Sequence, residues 1–497
     1  MFNWLFARQN GGQFILRIDD TDQARNVEEA LAPILNAFRW LGLDWDEGPE
    51  VGGGYGPYFQ SQRGDLYQAA AERLLAEGKA YRCFDSVEQV QTDKEHLREH
   101  NTPPAGMRRS LELSDAEIQT RLDRDEPWVL RFKVPHDRKI EIDDQIRGHV
   151  EWDSSLMFDP NISRSNGSPL YNFATVVDDA QLKITHVIRA EEHLTNTAVQ
   201  VLLYEALGES VPVFAHIPFV MAPGTKKKIS KREIDKYRKS PAFKILFDLS
   251  ARVLPQIGID EESVNPVMVE FYEQCGFLPA GLLNSLGRTG WSFDETTEFM
   301  SLGFLIEHFS LGRVVKSSAA FDPEKLMSYQ SHWMAELSHE DRAAQCLPFL
   351  QKARLLSDSP SDAERSLVTR VVTALDDRIK VAADILTYDY FFKADIEFSE
   401  KEFKKRVSRS GVPELLTEFR VVLAGHDEWS AESLEAALQT FVESKEVGAG
   451  LLIHALRIAA TGSPIGPGVY DCLVLVGKET VLSRIDLALA KAAESSE

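Results

Sequence analysis

Gln13-Phe14-Ile15-Leu16-Arg17-Ile18-Asp19-Asp20-Thr21-Asp22 is the stretch on which the reading of the fold turns. Residues 13–18 form a short, mostly apolar run after Gly11-Gly12, the composition of a buried strand, and an acidic cluster closes it. Leu31, Ile34, Leu35, Phe38 and Leu41 then recur at helical spacing, and Gly42 supplies a stop. A loop rich in Gly and Tyr spans 51–63, and an amphipathic helix is predicted over about 66–75. Strand, helix, loop, helix is the α/β order. Ligands of such sheets bind beyond the carboxyl ends of the strands. The carboxylates of this cluster are therefore candidate partners for an ammonium group, and Asp22 a candidate helix cap.

From about residue 80 to 168 the texture changes. Charge is dense, Pro103-Pro104 interrupt the chain, and 128–134 and 140–150 read as strands. An inserted domain of mixed α and β character is expected there. The α/β pattern returns at 170–177 and 185–189 and in a helix over 194–207, so the first domain is discontinuous. Beyond it helices dominate, with spaced apolar residues over 276–286, 319–329, 363–375 and 431–438 and almost no strand signal in the final third. The expected divisions are 1–79, 80–168, 169–215, 216–320 and 321–497. Within the fourth, 234–264 stands apart, charged at its start and acidic at its end.

A chain of 497 residues needs several cores. Its 43% hydrophobic and 27% charged content is ordinary for a globular protein, and no apolar run approaches the ~20 residues of a membrane span. Residues 1–8 are apolar but break at Arg8, too soon for a signal-peptide core. Cys83, Cys275, Cys346 and Cys472 lie far apart and form no C-x-x-C pair. No zinc and no disulfide framework are expected, and a reducing cytoplasm fits. The net charge of -22 argues against non-specific nucleic-acid binding while leaving room for a local basic groove.

Against that acidic background, Gly224-Thr225-Lys226-Lys227-Lys228-Ile229-Ser230-Lys231-Arg232 stands out. Five cations in nine residues repel one another, so the loop calls for an anion, and its glycine and small polar residues suit closure over phosphates. Read alone, it could be a solvated basic loop. A second constellation is 186–194 (HVIRAEEHL), preceded by 170–179 (LYNFATVVDD). Arg189 at a strand end is a natural bidentate partner for a carboxylate. By itself it would be an ion pair with Glu191 or Glu192. Residues 58–63 (YFQSQR) read as a packed aromatic turn.

Together these strings resemble the class I aminoacyl-tRNA synthetases, in the glutamyl-tRNA synthetase form. Lys228-Ile229-Ser230-Lys231-Arg232 resembles the KMSKS-type signature, 186–192 the V-I-R-A-E-E string, 16–22 the L-R-I-E-D-T-D motif, and 57–63 a P-Y-x-Q-S-x-R segment. The resemblance also takes in 276–279, 290–292 and 321–326, and is interrupted over about 234–264, a segment longer than relatives carry. It implies a Rossmann-like catalytic domain, an inserted α+β domain that grips the tRNA acceptor end, and an all-α carboxyl-terminal region that reads the anticodon. For glutamate, it implies that Arg189 binds a carboxylate, Asp19 the ammonium (in place of a glutamate one methylene longer), and Tyr171 lines the pocket. Glu192 would lie close to ATP, Lys231 would meet the triphosphate charge, and Lys228 and Ser230 would shape the loop. Thr175 and His193 depart from the asparagine and tryptophan found in relatives.

The implied reaction joins L-glutamate to tRNA(Glu) through a glutamyl adenylate, with ATP and Mg2+, in a cytoplasmic monomer that needs no membrane. The family's opening P-S-P-T-G-x-x-H-x-G segment has no counterpart, and residues 1–8 look like the helix that follows it. The chain is therefore expected to start inside the first βαβ unit, with a start codon assigned too late as the favoured explanation. A synthetase-like tRNA-binding protein without catalysis is the second reading. The helical tail disfavours both a short relative that modifies a tRNA base and a glutaminyl-tRNA synthetase.

Overall fold

The structure, a computed structural model, describes residues 1–20, 27–100 and 107–494. It divides into two compact units: 1–229 with 283–321, and 230–282 with 322–494. Thr21 and Asp22, and with them the cap reading, lie outside the described residues.

In the first unit the apolar spacing after residue 30 becomes the helix Val27–Trp40, stopped by Gly42 at φ +69°, and the second predicted helix is Gly64–Ala76. The predicted strand over 13–18 is extended but forms no ladder. It makes isolated parallel bridges, Ile15 with Glu47 and Ile18 with Phe59. Its partner changes from one loop to another halfway along: Leu16 N–H donates to Glu47 O and Ile18 N–H to Tyr58 O. A continuous two-strand register therefore never develops.

Three two-stranded sheets follow. β1 (Ala80–Cys83) pairs antiparallel with β2 (Val129–Phe132). β3 (Lys139–Asp144) and β4 (Gly148–Asp153) form a hairpin, where the sequence suggested one strand over 140–150. The turn is made by Asp144, whose Oδ1 accepts from Ile146 N and Arg147 N, and by Gly148 at φ +83°, the conformation glycine adopts without strain. β5 (His186–Ala190) pairs in parallel with β6 (Val213–Ile217), in register Arg189 to His216. The helices Tyr171–Gln181 and Leu194–Ala206 cover this pair, and Phe173, Val176, Val201, Leu202 and Phe214 meet in a core that also takes in Ile140 of β3.

The second unit has no strand among its described residues. Residues 234–264 fold as the helices Ile234–Arg238 and Lys244–Val253, burying Phe243, Leu246, Leu249 and Val253, and Arg252 pairs with Asp384. The predicted helix over 319–329 begins later, at Pro323, because Asp322 caps it. The helices between Glu400 and Glu494 close around Leu416, Phe419, Leu438, Leu456 and Ile485. No helix of the described residues is long and apolar enough to cross a membrane.

Candidate active site

Helix Tyr171–Gln181 carries two adjacent acids on its buried side, Asp178 and Asp179, and unpaired carboxylates there would be costly. Cations and hydroxyls gather around them. Asp178 accepts from Arg63 Nε at 2.6 Å, Gln60 Nε2 at 2.7 Å and Tyr67 Oη. Asp179 accepts from Arg17 Nη1 at 2.6 Å and Tyr204 Oη at 3.1 Å. Burial works against the Arg17 charge, but Asp179, Asp19 and Asp178 outweigh it and raise its pKa. The turn over 58–63 is thus packed, as read, and its Gln60 and Arg63 anchor the helix that borders the site. Consecutive acids in an apolar helix were the signal in the sequence that buried partners must exist.

Arg17 is the link to the site, because its Nε also donates to Asp19 Oδ1 at 2.8 Å. Asp19, Tyr171, Thr175 and Arg189 line one cleft of about 890 Å³, bounded by 12–17 and 182–189. The cleft brings three of the sequence candidates together. Thr175 Oγ1 is buried on it with no hydrogen-bond partner among the described residues.

Arg189, half-buried at the end of β5, is not in the ion pair that its sequence neighbours suggested. Glu191 pairs with Arg147 at 2.5 Å, and Glu192 with Lys228 at 2.8 Å. Arg189 instead donates to Gln200 Oε1 at 2.7 Å, Thr197 Oγ1 at 2.8 Å and His216 Nε2 at 3.2 Å, all uncharged acceptors. Among the described residues no carboxylate lies within ion-pair distance of it. Burial lowers its pKa and outweighs Tyr171 and the more distant Asp179, which act the other way. A half-buried, oriented cation of this kind is suited to a ligand carboxylate. His193 lies beside it, its ring 5.7 Å from that of Tyr171, and burial, then Arg189, lower its pKa.

The basic loop splits between the two units. In the first, 220–229 doubles back, with Ala222 N–H donating to Lys227 O and Ile229 N–H to Val220 O, and Gly224 turns at φ +69°. Lys228 Nζ holds both oxygens of Glu192 and lowers the Glu192 pKa. In the second, Ser230 Oγ caps a 3-10 turn over Lys231–Glu233. Among the described residues Lys226, Lys227, Lys231 and Arg232 form no ion pair, so four exposed cations stand uncompensated.

Comparison with known proteins decides the family. The chain is 40% identical over 491 residues to a glutamate–tRNA ligase of Moorella thermoacetica, covering 98% of this chain and 93% of that protein. The chain belongs to the glutamate–tRNA ligase family. Residues 1–254 match the family model described as tRNA synthetases class I (E and Q), catalytic domain, and 341–489 match an anticodon binding domain. A glutamate–tRNA ligase of Desulforudis audaxviator is 36% identical over 495 residues, 99% of this chain and 92% of that one. The crystal structure of a glutamate tRNA ligase from Elizabethkingia meningosepticum in complex with its amino acid superposes with a TM-score of 0.80. It is 31% identical and covers 98% of this chain and 95% of its own.

Proposed function

We propose that the protein ligates L-glutamate to tRNA(Glu) at the expense of ATP, and that Arg189 receives a carboxylate of the amino acid. The observation that carries this is Arg189 itself: oriented by Gln200, Thr197 and His216, with no carboxylate within ion-pair distance among the described residues, and on one cleft with Asp19, Tyr171 and Thr175. Asp19 faces the ammonium, and Tyr171 packs the pocket wall. The α-carboxylate of glutamate attacks the α-phosphorus of ATP, and diphosphate leaves. A terminal ribose hydroxyl of the tRNA then attacks the glutamyl adenylate, releasing AMP. No protein nucleophile takes part, so catalysis rests on positioning and on charge stabilisation at the phosphates.

ATP enters as its Mg2+ complex, and the residues suit such a substrate, since Lys226, Lys227, Lys231 and Arg232 have no carboxylate partners among the described residues. Lys231 meets the developing triphosphate charge, while Lys228, Ile229 and Ser230 shape the loop and Glu192 lies toward ATP. Residues 1–79 and 169–215 hold the reacting groups, 80–168 the acceptor end and 321–497 the anticodon. The match of 341–489 to an anticodon binding domain supports the last of these. On this reading the protein acts as a monomer in the cytoplasm.

The test is charging of tRNA with radiolabelled glutamate, with glutamine as control. Glutamylation that needs ATP and tRNA is the expected result. Retained tRNA binding without glutamylation would overturn the proposal.

A further inference from the structure

Arg189 is held by a chain that reaches away from the cleft. His216 lies across the β5–β6 register from it and is fully buried. Its Nε2 faces Arg189 Nε at 3.2 Å and the Thr197 hydroxyl at 3.1 Å. Its Nδ1 lies 2.6 Å from Asp144 Oδ2, in a pair whose side chains are both 0% exposed. Asp144 belongs to the β3–β4 hairpin, whose turn is pinned to β6 by Gln145 N–H donating to Phe214 O. A buried carboxylate–imidazole pair is weak grounds for stability, since desolvation offsets its attraction.

The backbone N–H of His216 lies within reach of both Asp144 oxygens, 3.2 Å from Oδ1 and 3.1 Å from Oδ2. Oδ1 accepts from Ile146 N and Arg147 N and makes the turn. Oδ2 alone also meets the His216 ring, at Nδ1. The turn therefore does not explain the Oδ2 contact. An ionised carboxylate is acceptor-only, so it places the imidazole proton on Nδ1 and leaves Nε2 as a lone pair. Arg189 has donors and no acceptor, so a lone pair at Nε2 is the one state that can receive its Nε–H.

We propose that Asp144 and His216 are positioning residues for substrate recognition: Asp144 sets the His216 tautomer, and His216 thereby fixes the plane of the Arg189 guanidinium for the glutamate carboxylate. This rests on the reading that Arg189 receives that carboxylate. Without the lone pair the guanidinium loses its Nε anchor, while Thr197, Gln200 and the His193 carbonyl still hold it through Nη2.

Asp144→Asn is the discriminating variant. It keeps Oδ1 for the turn and for the His216 backbone N–H but turns a donor toward Nδ1, which drives the proton to Nε2 and sets two donors against each other. In tRNA glutamylation the KM for glutamate should rise about tenfold, with kcat, the KM for ATP, the KM for tRNA and the thermal midpoint near those of the parent. An unchanged KM for glutamate, or parallel losses in all three substrates together with a lower midpoint, would overturn the proposal. Should the variant not fold, 15N spectra of the parent chain labelled at histidine decide alone. A His216 protonated at Nδ1 and bare at Nε2 is expected, and a proton on Nε2 would overturn the tautomer assignment. A parent chain that fails to charge tRNA at all would count against the proposed function instead.

Discussion

Arg189 shows how far a side chain's role depends on what it lacks. Its neighbours Glu191 and Glu192 are taken by Arg147 and Lys228, so neither neutralises it. Arg189→Lys keeps the charge but loses the planar fork. It should raise the KM for glutamate by tenfold or more, readable in steady-state charging. Lys231→Ala should behave differently, lowering ATP–diphosphate exchange in the presence of tRNA by about a hundredfold. Glutamate binding measured by calorimetry should change little. Away from the site, Asp294 is held at a pKa of about 2, chiefly by the backbone N–H groups of Thr297 and Thr296. A lowered folded-state value means stability that is present above the unfolded value near 3.8 and is lost as pH falls toward 2. The destabilisation by Asp294→Ala should therefore be equal at pH 7 and pH 5 and shrink only below pH 4, as denaturant midpoints across that range would report.

At the scale of elements, local chemistry and tertiary demand agree at some places and part at others. Gly276 ends the helix Val269–Gln274 at φ +79°, and a Cβ there would sit 2.5 Å from Ala383 N. Gly276→Ala should cost about 2 kcal/mol or more, seen as a lower urea midpoint at unchanged slope. Helices were legible because their apolar spacing is a property of adjacent turns: the spacing of Leu31, Ile34, Leu35, Phe38 and Leu41 became the helix Val27–Trp40. Strands were less so. Apolar alternation over 140–150 does not reveal that Asp144 folds it into a hairpin, and an apolar run over 13–18 does not reveal that its bonding partners are two loops.

Across the whole molecule, the charge of -22 excludes binding of nucleic acid by bulk attraction. tRNA affinity should fall as salt rises, while duplex DNA of similar length fails to compete in fluorescence anisotropy. Cys83, Cys275, Cys346 and Cys472 are buried and free, and burial raises all four thiol pKa values, that of Cys472 to about 11. Dialysis against a chelator should therefore leave the thermal midpoint unchanged. The amino-acid sequence by itself determined the order and type of most elements, the cationic loop and the family, because periodicity, turn residues and ordered motifs are written in neighbouring positions. It also singled out Asp19, Tyr171 and Arg189 as candidates, and these three line one cleft. Only the tertiary structure decided which partner each charge takes: that Arg17 joins Asp19 to Asp179, that Arg189 meets no carboxylate among the described residues, and that Asp144 and His216 stand behind it. Those pairings join residues far apart in the chain, and their distances are set by strand register and core packing, which no local pattern records.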